Sequence, residues 1–480
     1  MPLTASLRQV MTRLNEGVGG VVLVTDDDGV LRGVVTDGDI RRAIIGGAAF
    51  EAAAHTFMSR AFTAGRAHAE AIDNLGLLSA RVRHLPILDA HGRPVDLLTW
   101  ADLWRMPLVQ PSLGGNESKY VNDCLATGWI SSQGAYIDRF QSAFAAYMGG
   151  GQALCCSSGT TALHLALAAL GIGPGDEVIV PDFTFGATAN VVIHAGATPV
   201  FVDVDPVTWT LSPAAAATAV TPRTKAIIPV HLYGHPCDMD PLLALAREHN
   251  LKIIEDCAEA LGAEYQGRRV GTIGDVGCFS FFANKIITTG EGGMVITTNK
   301  DLAILMARLR DHGMAKDRRY WHLEAGFNYR MTNLQAALGL AQMEVVEKFL
   351  KRRADLVARY DKALTGINGL TLPPRAAWAK NVHWLYTIAV DPAVLGLTRD
   401  QLAQKLMERG IETRPVFFPL HPQPAYARAI AHPCPVTEDL AARGLSLPTG
   451  NDMTVEDAGK VCEAMTSVLR THLVFQVRSA

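Results

Sequence analysis

Lys285 sits in the stretch GCFSFFANKIITTGEGGMV, from Gly277 to Val295, between an apolar run and a turn rich in threonine and glycine. An amine beside buried-type segments is costly unless it has a partner or a task. One such task is a Schiff base with an aldehyde, for which desolvation lowers the amine's pKa and makes it nucleophilic. Asp256 closes the apolar segment that starts at Lys252. A buried carboxylate calls for a cation, and a protonated pyridine nitrogen is one. Phe185, just past Pro181, offers a ring face for stacking. Ser158, Gly159 and Thr160 lie in CSSGTT, directly before the alanine-rich segment Ala162 to Leu170. Small residues ahead of a helix leave its first N–H groups and the positive end of its dipole open to a phosphate. Ser280 adds a hydroxyl. An aldehyde, a pyridine nitrogen, a flat ring and a phosphate belong to one cofactor, pyridoxal phosphate (PLP), which asks a protein for a lysine and an acidic partner. Glu291, among Gly290, Gly292 and Gly293, reads as a turn residue.

These residues need a scaffold, and the pattern around them supplies one. Strands are predicted at Glu177 to Val180, Thr198 to Val202, Ala226 to Val230, Lys252 to Glu255, Cys278 to Phe281 and Met294 to Thr298. Helices fall at Gly186 to His194 and Pro241 to His249. Val- and Ile-rich runs alternating with helices imply a mostly parallel sheet covered on both faces. Sites in such folds lie at the carboxyl ends of the strands. Asp256, Phe183 to Phe185 and His231 all fall at such ends. Asn333 to Phe349 has helical periodicity and continues into Lys351 and Arg352 as one long helix. A strand at Trp384 to Val390, a helix at Arg399 to Arg409 and an extended Ile411 to His421 describe a smaller C-terminal domain.

The chain has 480 residues, enough for two or three domains. With 49% hydrophobic and 19% charged residues it reads as well-packed and globular, not disordered. A net charge of -3 without a basic run argues against nucleic acid. No signal peptide is expected at the N-terminus, and no apolar run reaches membrane-spanning length. The eight cysteines form no CxxC pair, which points to a reduced, cytoplasmic enzyme without disulfides or a bound metal.

The first hundred residues hold a repeat. Val21 to Val24, an acidic turn and Leu31 to Val35 are followed by Thr36-Asp37-Gly38-Asp39 and a helix from Ile40. Leu85 to Leu88, a turn and Val95 to Leu98 are followed by Thr99-Trp100-Ala101-Asp102 and a second helix. The two Thr-x-x-Asp motifs begin 63 residues apart, at Thr36 and Thr99. Two short copies suggest a paired module. This resembles a pair of CBS domains, the Bateman module, and VVTDGDIRRA is close to that family's usual ending. The resemblance implies that Thr36 with Asp39, and Thr99 with Asp102, bind the ribose of an adenine nucleotide, and a regulatory adenine or guanine nucleotide is the expected partner. Thr and Asp at a helix start are also ordinary N-caps. Met106 to Pro111, with two prolines, reads as the linker that follows.

SSGTTALHLAL, GDEVIVPDFTFGATAN, IIEDCAEALGA, FSFFANKIITTGEGGMV and GFNYRMTNLQAALG, in that order, look like the DegT/DnrJ/EryC1/StrS family of sugar aminotransferases. The resemblance covers about Pro111 to Leu469. It implies a fold-type I PLP-dependent transferase, with a CBS pair at 1–107, a large PLP-binding domain at 111–352 and a small α+β domain at 353–480. It implies a homodimer or higher oligomer with composite active sites, and glutamate as amino donor. By resemblance Lys285 forms the Schiff base, Asp256 holds the pyridine nitrogen and Phe185 stacks on the ring. Ser158, Gly159, Thr160 and Ser280 take the phosphate, which Asn328 reaches from the partner subunit. Glu259, where many members carry glutamine or histidine, joins the cofactor set as a variant. Since Lys285 is present, transamination is expected instead of the dehydration run by relatives with histidine there. PSLGGNESKYVNDCLATGWISSQG, AKNVHWLYTI and GIETRPVFFPLHPQPAY are similar to the branch that aminates C4 of GDP-4-keto-6-deoxymannose. There Trp129, Ser131 and His421 would line the nucleotide-sugar site. Residue by residue, Trp129 also reads as a core aromatic and His421 as a turn residue. The alternatives are a C3 or C4 aminotransferase for a UDP- or dTDP-linked keto sugar, or a non-catalytic nucleotide sensor on the same fold.

Overall fold

The computed structural model describes residues 1–16, 20–69, 74, 77–78, 82–99 and 106–479, the last ten of them without side chains. Asp102 and the helix expected after Thr99 lie outside the described residues. The chain divides into two compact units. One is Met1–Met106 with Lys405–Ile411; the other is Pro107–Gln404 with Glu412–Ala480.

The first unit is built from two hairpins. Val21–Thr25 pairs antiparallel with Leu31–Thr36, and His84–Leu88 antiparallel with Pro94–Thr99. Gly65–Arg66 adds a parallel edge to the second hairpin. The repeat extends to the turns. The Asp26 carboxylate accepts the N–H groups of Asp28 and Val30, and the Asp89 carboxylate those of His91 and Arg93, at the same offsets. Such aspartates fix a tight turn by standing in for a backbone acceptor. The first helix after a hairpin runs Asp37–Ile45, three residues earlier than the apolar pattern indicates, because Thr36 is its N-cap.

The second unit is organised by an eight-stranded sheet. Its order is Ile430–Ala431, Thr198–Val202, Glu177–Pro181, Thr224–Ile227, Lys252–Asp256, Val276–Ser280, Gly293–Thr297 and Gln152–Cys156. All pairs are parallel except those made by Gly293–Thr297, which is antiparallel to both neighbours. Glu177–Pro181 and Gly293–Thr297 are buried at every residue, as a sheet covered on both faces requires. The strand expected to reach Val230 ends at Ile227. Pro229 has no N–H to donate, and pairing resumes only at Val230, which bridges to Asp256.

Two further expectations are corrected. The long helix from Asn333 is two helices, Asn333–Met343 and Val346–Leu364, broken at Val345 with φ -120 and ψ 8. Apolar residues continue across the break at Leu340, Val346 and Phe349, so periodicity alone does not show it. The segment taken as a linker is anchored: Leu108 is 1% exposed, within the main apolar core. Its N–H donates to Glu412 at 2.9 Å and its carbonyl accepts the Thr449 N–H at 2.8 Å.

Beyond Val346–Leu364 lies a four-stranded antiparallel sheet, ordered Leu370–Thr371, Tyr386–Val390, Gly444–Leu447 and Arg414–Pro415. Ile430–Ala431 leaves this region to join the edge of the large sheet, so the chain after residue 353 serves both sheets. Among the described residues no helix is long and apolar enough to cross a membrane. All eight cysteines are free and buried.

Candidate active site

A cavity of about 370 Å³ opens at the carboxyl ends of the central strands. Asp256 ends the strand Lys252–Asp256 at the middle of the sheet and is buried on its lining. Its carboxylate accepts the Thr188 hydroxyl at 2.8 Å and the Ala258 N–H at 3.1 Å. Among the described residues it forms no ion pair. Burial raises its pKa, and Thr188, Ala258, Lys285 and His231 offset this only in part. Asp256 is therefore hydrogen-bonded but left with its carboxyl above the ordinary value.

Lys285 follows the strand Val276–Ser280 in a loop fixed by its own N–H to the Phe282 carbonyl, at 3.0 Å. Its Nζ lies 3.8 Å from Glu259 and 4.0 Å from the centre of the Trp384 indole. The indole is pinned by a 2.7 Å bond from Nε1 to the Asn284 carbonyl. Desolvation lowers the lysine's pKa, against the pull of Glu259 and Asp256. Glu259 is buried and accepts the Tyr233 N–H at 2.8 Å. Burial pushes its pKa up to about 7, although Lys285 pulls it down. The acid moves up and the amine moves down because burial disfavours both charged forms, and a less charged amine is the more nucleophilic one.

The phosphate end is a helix start. Gly159–Ala169 is capped by Ser158, whose hydroxyl accepts the Thr161 N–H at 3.1 Å. That hydroxyl is engaged in the cap, so an anion would meet the first N–H groups of the helix, which have no partner within it. Two glycines set the closeness of the wall. A Cβ on Gly159 would lie 2.7 Å from Ser280 Cβ, and one on Gly293 would lie 2.3 Å from the Ser158 carbonyl oxygen. Phe185 lines the cavity, 63% exposed and tilted against Phe417 at 5.9 Å. An uncompensated carboxylate, a desolvated lysine, a helix start and a ring face around one cavity fit PLP.

The structure thus gathers Ser158, Gly159, Thr160, Phe185, Asp256, Glu259, Ser280 and Lys285 on one cavity. Glu291, read as a turn residue, lines it too. Four predicted residues are not on that lining. Asn328 is exposed, in a bridge to Asp311. Trp129 is 56% exposed, no core aromatic, and its carbonyl and that of Ser131 hold Asn333 at 2.7 and 2.5 Å. His421 is tied to buried Asp182 by its backbone N–H at 2.8 Å and its Nδ1 at 2.7 Å. His231, also singled out by its strand end, is fully buried on Glu255 at 3.0 Å. Thr188, Trp384, Tyr233 and Arg414 escaped the sequence reading. Thr188 and Trp384 stand inside motifs already quoted, yet nothing in their spacing marks contacts made across the fold.

In the first unit the Thr36 hydroxyl and N–H both donate to Asp39, at 2.7 and 2.8 Å, and Arg42 meets the other oxygen at 2.6 Å.

A mostly parallel sheet that presents a desolvated lysine and a buried aspartate at its strand ends is the architecture of PLP-dependent aminotransferases. The sequence profile of the DegT/DnrJ/EryC1/StrS aminotransferase family matches residues 111–466, and the chain belongs to that family as a PLP-dependent sugar aminotransferase. A CBS domain profile matches residues 2–46. The chain is 51% identical over 370 residues to GDP-perosamine synthase of Caulobacter vibrioides, covering 77% of this chain and 100% of that protein. It is 45% identical over 360 residues to GDP-perosamine synthase of Escherichia coli O157:H7, covering 75% and 97%. The solved aminotransferase from Psychrobacter cryohalolentis superposes with a TM-score of 0.72 at 32% identity, covering 76% and 98%.

Proposed function

We propose that the chain moves the amino group of glutamate to C4 of GDP-4-keto-6-deoxymannose, giving the 4-amino sugar of the GDP-perosamine type and 2-oxoglutarate. The observation that carries the amino transfer is Lys285, desolvated, with a side chain only 13% exposed, on one cavity with Glu259 and Asp256. The choice of sugar is supported by the 51% identity to a GDP-perosamine synthase.

When bound, PLP supplies an aldehyde for the amine and a ring that withdraws electrons from the carbon losing its proton. Lys285 Nζ would hold that aldehyde and, as a free amine, would take the proton from the donor's α-carbon as general base. Desolvation favours the neutral amine, while Glu259, 3.8 Å away, pulls the other way and holds the amine in place. Asp256 holds a proton on the ring nitrogen, and Thr188 holds Asp256 in place. The N–H groups at Gly159 and Thr160 and the Ser280 hydroxyl bind the phosphate. Asn328, exposed here, completes the same site in a partner subunit, which makes the working unit at least a homodimer. The N-terminal unit binds an adenine or guanine nucleotide through Thr36 and Asp39 and adjusts the activity or assembly of the enzyme.

Product analysis with GDP-, UDP- and dTDP-linked 4-keto-6-deoxy sugars tests this reading. Amination of the GDP sugar in preference to the others is expected, and preference for a UDP or dTDP sugar overturns the assignment. Calorimetry with ATP, ADP, AMP, GTP and GDP on the full chain and on Asp39→Ala tests the regulatory part. Nucleotide binding that is unchanged in Asp39→Ala sinks it. A fully active monomer in light scattering sinks the dimer.

A further inference from the structure

Two chemically unlike substrates must use this cavity in turn. The amino donor brings carboxylates close to the reacting carbon, whereas a 4-keto sugar brings neutral hydroxyls there and carries its charge on a distant diphosphate. An anion taken into a partly closed site needs a cation. Among the described residues two cations line the cavity, Lys285 and Arg414, and Lys285 is committed to the chemistry. Arg414 stands on the short strand Arg414–Pro415, paired with Ser446 of the neighbouring strand. Its side chain is 53% exposed and its guanidinium is 3.7 Å from Glu412. Glu412 is itself held in position, because its other oxygen accepts the Leu108 N–H at 2.9 Å.

We infer that Arg414 is the donor-binding arginine of this site, moving between Glu412 and a carboxylate of the amino donor. This rests on the donor assignment made above. A fully buried arginine would suit the donor but would be stranded when the sugar arrives, since an unpartnered buried charge is expensive. A half-exposed arginine with a fixed fallback partner avoids this. A 3.7 Å pair in solvent is weak, so leaving it costs little. The planar guanidinium suits a carboxylate because it offers two parallel N–H groups.

The test separates the two half-reactions of the full-length, PLP-loaded protein. Loss of the visible cofactor band with L-glutamate reads the donor half, and its return with the GDP-keto sugar reads the other. Binding of glutarate, a dicarboxylate without an amine, is measured by calorimetry as a readout that needs no turnover. Arg414→Ala should raise the glutamate concentration for half-maximal conversion, and weaken glutarate, by about ten- to a hundredfold, the scale of a charged hydrogen bond. The sugar half-reaction should change much less. Glu412→Gln, which keeps an acceptor for Leu108, should act with opposite sign and tighten glutarate by about two- to fivefold. Equal loss in both half-reactions, loss confined to the sugar, or unchanged glutarate binding in both variants overturns the inference. Wild-type protein that keeps its band in glutamate overturns the donor assignment itself, and Arg414 with it.

Discussion

Asp39 and Asp256 invite comparison, because each is a buried carboxylate with a threonine hydroxyl donating to it, Asp39 in the first turn of the helix after a strand and Asp256 at the last residue of one. Their surroundings differ in how far they are satisfied. Burial alone would raise the pKa of Asp39, but the Thr36 hydroxyl and N–H and the Arg42 guanidinium outweigh it and hold the carboxyl below its ordinary value. For Asp256 burial wins, and the carboxyl stays above its ordinary value. One cluster is electrostatically complete and serves as a helix cap. The other is left incomplete, beside a lysine and a glutamate shifted toward neutrality. A site that must receive a charged cofactor keeps its own charges unpaid until that cofactor is present, and this distinguishes the two clusters better than residue type does.

The largest effect should follow from removing the amine. Lys285→Ala is expected to bind PLP noncovalently and to lose transamination altogether, and turnover near wild type would break the contrast. Asp256→Asn keeps the shape and removes the charge, with an expected loss of about 100-fold or more in rate. An unimpaired variant with full cofactor occupancy contradicts the idea that Asp256 is the incomplete cluster's centre. Glu259 sharpens the comparison through pH. Its folded pKa of about 7 lies above its ordinary value of 4.5, so its contribution to stability is complete below about 4.5 and is lost as pH climbs through 7. Cofactor-free wild type should therefore lose melting temperature across that window relative to Glu259→Gln, and parallel curves would refute the shift. The smallest effect belongs to the complete cluster. Asp39→Ala should leave turnover without nucleotide unchanged and destabilise the N-terminal unit by about 1 kcal/mol, the usual value of a cap. The penalty should shrink in acid, because a carboxyl with a depressed pKa loses its contribution as pH falls through that value. A large loss of basal turnover would show that Asp39 belongs to the machinery after all.

Much of the scaffold was legible because its strands are continuous apolar runs closed by turn residues, and the eight residues that meet on the cavity announce their chemistry by type. What stayed hidden depends on chain paths that periodicity does not encode. The break at Val345 lies inside an unbroken apolar pattern, and Pro229 shortens a strand that hydropathy would extend. Thr188, Trp384 and Arg414 come to the cavity from three separate elements, and no local spacing ties them together. Trp129, Ser131, Asn328 and His421 carried family resemblance but no geometry, and one chain alone does not bring them to the cavity.

The anchoring of Leu108 has a practical side for anyone who separates the two units. The family match begins at residue 111, so a truncation cut to that boundary looks harmless. It would remove a leucine packed in the core, the N–H that steadies Glu412 and the carbonyl that receives Thr449. Cutting after residue 107 spares all three, and that shorter deletion is expected to yield a folded, active aminotransferase. The three further residues would take with them the seat of Glu412, the resting partner of Arg414. A loss of glutamate affinity in the longer deletion would then be misread as the missing influence of the N-terminal unit. Comparing the two deletions side by side separates a severed splice from a lost regulator.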